Sequence, residues 1–151
     1  MPTGSFSELS LRDFLDQLAS DAPTPGGGSV AALTGALAAG LGQMACALTV
    51  GKPKFAAVEE KVRAAAERLA RAEGMFRRLI DEDAAAYLEL SSAFKLKKDD
   101  PQRGERIRQA ATLAAEIPLE TAALASRTCH EIMALMKIAN PNLKADLEAA
   151  G

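Results

Sequence analysis

An acidic residue interrupts a hydrophobic stripe in this chain. Val58, Val62, Ala65, Leu69, Ala72, Phe76 and Leu79 follow one another in steps of four and three, the spacing of a helix packed along one seam of a bundle. The next position on the seam is Asp83, and Tyr87, Leu90 and Phe94 carry the apolar stripe onward. A carboxylate inside a core is costly unless it is paired or working. Burial raises a carboxyl pKa toward neutrality, which is what general acid/base catalysis needs. A structural role, with Asp83 bonded to a neighbouring helix, fits the same position. Asp83 and Tyr87 are four apart and share a helix face. Asp81 points to a different face and is expected to be solvated.

A second constellation is Pro25-Gly26-Gly27-Gly28-Ser29. Feeding a helix, this run presents free backbone N–H groups and the positive end of the helix dipole to an anion or a carbonyl oxygen. Glycine leaves no side chain in the way. The pattern is neither a P-loop nor a dinucleotide fingerprint, and a flexible turn capped by Ser29 also accounts for it. Lys52 and Lys54, and further on Lys95, Lys97 and Lys98, could receive the carboxylates of an anionic ligand, although solvated loop charge explains them equally. His130 is the sole histidine and reads as a packed or surface residue. Cys46 and Cys129 lack CxxC spacing, so neither a zinc site nor a disulfide framework is written in. Catalysis must then use carboxylates, amides, lysines or backbone, and a reducing cytoplasm fits best. Met44, Met133 and Met136 read as core filler.

The elements that must position these groups are helices. The 151 residues suffice for one domain, and 48% apolar with 25% charged residues is a globular composition. Aromatics are only 4% and alanine is abundant, so the interior is expected to be small side chains on closely packed helices. A net charge of −2 argues against nucleic-acid binding. No signal peptide is visible. Residues 22–51 carry no charge and are long enough to span a bilayer, but Ala and Gly dominate the run, which predicts a buried central helix of a soluble bundle.

Ser10, with Asp13 three residues on, opens a first helix whose apolar face is Leu11, Phe14, Leu15 and Leu18. A second runs from near Ser29 to about Val50. Its Gly35, Gly40 and Gly42 predict the close crossing of another helix, a second subunit being one source. Gly51 stops it, and Pro53 suits the first turn of the long helix that carries the seam. After a polar loop, Asp100 and Pro101 predict the cap and first turn of a fourth helix, with Ile107, Ala110, Ala111, Ala114 and Ile117 along it. Pro118 should kink that helix or break it before Leu124, Ile132 and Met136. Asn140-Pro141-Asn142 is a turn, and residues 143–150 open a further helix.

Taken in order, Pro25 to Ala32, Gly35-Ala36-Leu37, Met44 and Leu48-Thr49-Val50-Gly51-Lys52 resemble the N-terminal signature of the formimidoyltetrahydrofolate cyclodeaminase and methenyltetrahydrofolate cyclohydrolase family. Asp81-Glu82-Asp83-Ala84-Ala85-Ala86-Tyr87 resembles its acidic segment. Leu96 and Lys98 resemble its Leu-Pro-Lys loop, Ile117-Pro118-Leu119 its Val-Pro-Leu kink, and Asn140 to Leu147 its Gly-Asn turn leading to Ser-Asp-Leu. Lys97, Ala139 and Ala145 depart from these patterns, and family members continue through another long helix that this sequence lacks.

The resemblance implies an all-α, up-down bundle of long helices that pairs as a homodimer and holds folate between subunits. It implies cyclisation of 5-formimidoyltetrahydrofolate to 5,10-methenyltetrahydrofolate with loss of ammonia, or the sister cyclohydrolase reaction on the methenyl bridge. A shortened folate-binding or structural module without catalysis is the remaining alternative. No metal or redox cofactor is implied, only a tetrahydrofolate substrate, and neither a membrane nor nucleic acid as partner. Asp83 and Asp146 are the expected catalytic carboxylates. Pro25, Gly26, Gly27, Gly28, Ser29, Tyr87 and Asn140 are expected to line the pocket, and Lys52 and Lys98 to receive the glutamate tail.

Overall fold

Ser10 accepts a hydrogen bond from the Asp13 amide at 3.1 Å and so opens the first helix as its sequence predicts. The computed structural model describes residues 5–151, and among these there are helices and no strands. The helices are α1 (Leu11–Leu18), α2 (Gly27–Ala47), α3 (Glu59–Phe94), α4 (Arg103–Leu135) and α5 (Lys144–Ala150). Short 3-10 turns at Phe6–Glu8, Pro53–Val58 and Pro141–Leu143 precede α1, α3 and α5. The all-α reading holds. The chain divides into two compact units, one of Met1–Ala32 with Arg77–Ala122 and one of Leu33–Phe76 with Ala123–Gly151.

The second unit is built on the seam. Val62, Ala65, Leu69, Ala72 and Phe76 of α3 are all buried. Ala45 and Cys46 of α2, Ile132 and Leu135 of α4, and Leu147 of α5 join most of them in one apolar cluster. Two glycines let α2 approach α3 this closely. A Cβ on Gly35 would overlap the Phe76 ring, and one on Gly42 would lie 2.8 Å from a Leu69 methyl. Each glycine costs a helix interior about 1 kcal/mol relative to alanine, and the close packing offsets that cost. The helix crossing predicted from Gly35 and Gly42 therefore comes from this same chain. Gly40 differs, with nothing within 4 Å of where its Cβ would be.

In the first unit the seam continues through Leu90 as expected, but not through Tyr87 and Phe94. Strict alternation of steps leads from Leu79 and Asp83 to Ala86, Leu90 and Ala93. Ala86 and Ala93 are both 3% exposed, whereas Tyr87 and Phe94 are 49% and 55% exposed. The larger side chains lie one residue off the seam, because the small ones fill the close-packed positions.

Three other expectations are corrected. Of the two outcomes expected at Pro118, the break does not occur, since α4 runs unbroken from Arg103 to Leu135; the proline lacks the amide that would bond the Ala114 carbonyl, and Ala114 is only half-buried. Leu11 and Leu15 of α1 are exposed, and only Phe14 of its predicted apolar face is buried. Helix α2 is not buried all round. Ala32, Ala36, Ala39, Ala45 and Cys46 face inward, while Leu37 and Met44 are exposed. By length and composition alone α2 would cross a membrane, but so would the core helix of a bundle.

Candidate functional site

The corner before α2 decides where its first amides point. The Thr24–Pro25 peptide is cis, both residues are buried, and Gly26 leads into the helix at Gly27. The first amides of a helix have no intrahelical acceptor. The amide of Ser29, fully buried, donates to Asp83 Oδ2 at 2.8 Å. The Ser29 hydroxyl lies 3.0 Å from the same oxygen and 2.9 Å from the Ile80 carbonyl. A carboxylate from α3 thus caps α2, as an N-cap side chain does within one helix, and it sits at the favourable end of the dipole.

Gly28 makes this seat possible, since a Cβ there would overlap the Asp83 carboxylate. Gly26 and Gly27 have open space instead, with nothing within 4 Å of a Cβ. A ligand reaching this corner meets bare backbone and one carboxylate. Asp83 is half-buried rather than enclosed in the core, so the expectation of an acid sealed inside the bundle is corrected.

Asp81 also differs from expectation. It is not solvated: its Oδ1 accepts the Phe6 amide at 2.6 Å and the Ser7 amide at 3.4 Å, and its Oδ2 accepts the Ser5 and Ser7 hydroxyls at 2.6 and 2.9 Å. Two carboxylates two residues apart on α3 therefore hold two different segments, the 3-10 turn before α1 and the start of α2. Sequence reasoning missed this because the donors Ser5 and Ser7 lie more than 70 residues away and carry no pattern that pairs them with Asp81.

Tyr87, one turn beyond Asp83, is exposed, and Lys98 is exposed in the loop after α3. Pro25 to Ser29, Asp83, Tyr87 and Lys98 all belong to the first unit. Lys52, Asn140 and Asp146 belong to the second. There the backbone amide of Asn140 donates to the Thr49 hydroxyl at 3.1 Å, and that hydroxyl donates to the Ala45 carbonyl at 2.7 Å. Thr49, buried and three residues before Lys52, ties the Asn140 turn to the end of α2. Its place in Leu48-Thr49-Val50-Gly51-Lys52 was the available signal. Asn140 Oδ1 accepts the Asn142 amide and caps the 3-10 turn, so one side of its carboxamide is already used. Asp146 is half-buried in the first turn of α5 and accepts no hydrogen bond among the described residues. Among the described residues no cluster of histidine, cysteine and carboxylate could hold a metal.

A glycine-built helix start closed by a carboxylate from a neighbouring helix, in an all-α chain, defines a helical protein with a polar corner of bare backbone and one acid. Comparison with known proteins identifies which one. The chain belongs to the formiminotransferase-cyclodeaminase family, whose family model matches residues 10–151. It is 37% identical over 136 residues to a methenyltetrahydrofolate cyclohydrolase of Methylorubrum extorquens, covering 85% of this chain and 62% of that one. It is 32% identical over 155 residues to the formimidoyltransferase-cyclodeaminase of Mus musculus, covering 99% of this chain and 28% of the relative. The chain thus spans about three fifths of the first relative's length and little more than a quarter of the second's. The crystal structure of a formiminotetrahydrofolate cyclodeaminase from Thermotoga maritima superimposes with a TM-score of 0.87 at 29% identity, covering 95% of this chain and 69% of that one. The family resemblance read from the sequence is borne out.

Proposed function

We propose that this chain acts on a tetrahydrofolate, cyclising the 5-formimidoyl form to the 5,10-methenyl form with release of ammonia. Family membership across residues 10–151 carries the substrate class, and the Asp83 carboxylate at the glycine corner carries the chemistry. In this reading the formimidoyl group reacts as its amidinium cation: the substrate's N10 attacks the carbon, which turns the exocyclic nitrogen into an amine and leaves the positive charge to the methenyl bridge, and N10 gives up its proton. The exocyclic nitrogen gains a proton and leaves as ammonia. Asp83, in reach of a ligand that crosses Gly26 and Gly27, takes and returns that proton. The remaining helix-start amides orient the polar edge of the substrate. Asp146, which accepts no hydrogen bond among the described residues, is the second acid/base candidate. Asn140 and Tyr87 add polar and stacking contacts, and Lys52 and Lys98 meet the carboxylates of the tail. The reaction needs no metal or redox cofactor.

Asp83→Asn tests this. A carboxamide oxygen still accepts from the Ser29 amide, so α2 stays capped, but the side chain no longer exchanges a proton. Ammonia release should fall about 10²- to 10⁴-fold, the usual weight of a general acid/base, with thermal stability little changed. Undiminished turnover would remove Asp83 from the mechanism. The cyclohydrolase reading is favoured by the 37% identity to the Methylorubrum extorquens enzyme. Following methenyltetrahydrofolate absorbance beside ammonia release, on the same preparation, separates the two. Binding of tetrahydrofolate without either turnover would indicate the non-catalytic module.

The homodimer belongs to this reading as well. Helix α2 presents Leu37 and Met44 to the outside, with Gly40 between them bare of any neighbour. A helix of a second copy laid on that face would give Gly40 the close contact that Gly35 and Gly42 have within the chain. Helix α2 itself carries no charge, and among the described residues the one charged residue beside this face is Glu73 of α3; a cytoplasmic location belongs to the same reading.

A further inference from the structure

The second unit contains a cleft between α3 and α4 to which the folate reading assigns nothing. Its volume is about 540 Å³, within the roughly 300–1,000 Å³ typical of small-molecule sites. The floor is apolar: Leu69 and Ala72 of α3 and Leu124 of α4 are buried there, and Met75 is half-buried.

The rim is basic. Arg68, Arg71 and Arg127 line it, and its one carboxylate, Glu131, is already taken. Arg68 grips both Glu131 oxygens, at 2.9 and 2.7 Å, which bridges α3 to α4. Arg71 lies one helical turn beyond Arg68 on α3, and Arg127 one turn before Glu131 on α4. Neither is engaged in an ion pair among the described residues. The cleft therefore keeps two uncompensated guanidinium groups in a chain whose overall charge is −2. His130, also on the rim, donates from Nδ1 to the Ser126 carbonyl at 2.7 Å. An exposed arginine alone is ordinarily just solvated. Two of them without partners over one apolar floor match a ligand that is anionic at one end and apolar at the other, because the planar guanidinium presents paired donors to an oxyanion.

We propose that this cleft binds an organic anion, with a carboxylate or phosphate held by Arg71 and Arg127 and an apolar body lying on Leu69, Ala72, Met75 and Leu124. The test is calorimetric titration of the whole chain at low ionic strength with phenyl phosphate, benzoate, inorganic phosphate and benzyl alcohol. Saturable binding of at least one aromatic anion at one site per chain, tighter than inorganic phosphate and benzyl alcohol, is the expected result. Whichever aromatic anion binds tighter identifies the oxyanion. The exposed double variant R71Q/R127Q leaves the Arg68–Glu131 bridge in place, and circular dichroism should show an unchanged fold. It should weaken aromatic-anion binding by about tenfold or more, the weight of one charge-assisted contact. Met75→Gln should weaken the aromatic anions and leave inorganic phosphate unaffected. Equal affinity in the wild type and the double variant, or no saturable binding of either aromatic anion at millimolar concentration, overturns the proposal.

Discussion

Gly27 and Gly28 are neighbours in sequence, and their substitutions should separate two kinds of loss. A methyl on Gly28 has no room because Asp83 occupies the place. Gly28→Ala is expected to destabilise the fold by about 1–3 kcal/mol, as overpacking does, and to lower turnover by displacing the carboxylate. A methyl on Gly27 meets nothing, so Gly27→Ala should shift stability by no more than about 0.5 kcal/mol while it obstructs substrate at the bare backbone and raises KM. Thermal melts read beside ammonia-release kinetics distinguish the pair; equal melting losses would contradict the geometry. Asp81→Ala removes the acceptor of four hydrogen bonds from Ser5, Phe6 and Ser7. Hydrogen exchange at the Phe6 and Ser7 amides should accelerate as a result, and unchanged protection would show that the turn is held by something else. Asp83 was legible because it broke an apolar period. Asp81 was not, because an acidic residue on a helix surface looks the same whether water or a distant serine satisfies it.

Helix α3 was the most readable element, and its period of seven explains both the success and the slip. Val62, Leu69 and Phe76 occupy one seam position and Ala65, Ala72 and Leu79 the other, all buried. Past Asp83 the seam passes through Ala86 and Ala93, and a reading that looks for bulk steps onto Tyr87 and Phe94 instead. What sequence does not display is that α2 answers α3 with absent side chains. Gly35→Ala should destabilise through the Phe76 ring, and Phe76→Leu in the same chain should relieve part of that loss, so the two changes are expected to be non-additive in a double-mutant cycle. Strict additivity would mean that the two do not touch. Cys46 makes a further test of how dry this layer is. Burial, reinforced by the Glu131 charge and opposed by Arg68, pushes its thiol up to about 11. The folded state thus holds the Cys46 proton where the unfolded chain releases it, so this group's contribution to stability is intact below the ordinary thiol range and falls as pH rises toward about 11. Iodoacetamide at mildly alkaline pH should label half-buried Cys129 and spare Cys46 until the protein unfolds. Mass spectrometry of the native protein would detect early Cys46 labelling and so refute this.

Composition alone indicated helices on helices, and the described residues bear that out. The division into two units was not legible, because α2, α3 and α4 each continue from one into the other with no linker to mark it. Nor did the uncharged run of α2 reveal that only one side of it is covered within the chain. If that outer side is where two copies meet, sedimentation velocity should show a dimer. Leu37→Glu with Met44→Glu should then shift it to monomer, since a desolvated unpaired carboxylate at an interface is strongly unfavourable. A monomeric wild-type chain at micromolar concentration would exclude the dimer.

The Ser29 hydroxyl has one hydrogen and two claimants, the carbonyl of Ile80 and the carboxylate of Asp83. While Asp83 is ionised, that hydrogen serves the carboxylate. When Asp83 picks up a proton in the proposed reaction, the hydroxyl can swing to Ile80 and accept the new acid hydrogen in its place. Rotation about a single Cβ–Oγ bond then keeps the trio matched in both charge states. The corner can load and unload a proton with no backbone movement, and Ser29→Ala would leave it able to hold only one of those states comfortably.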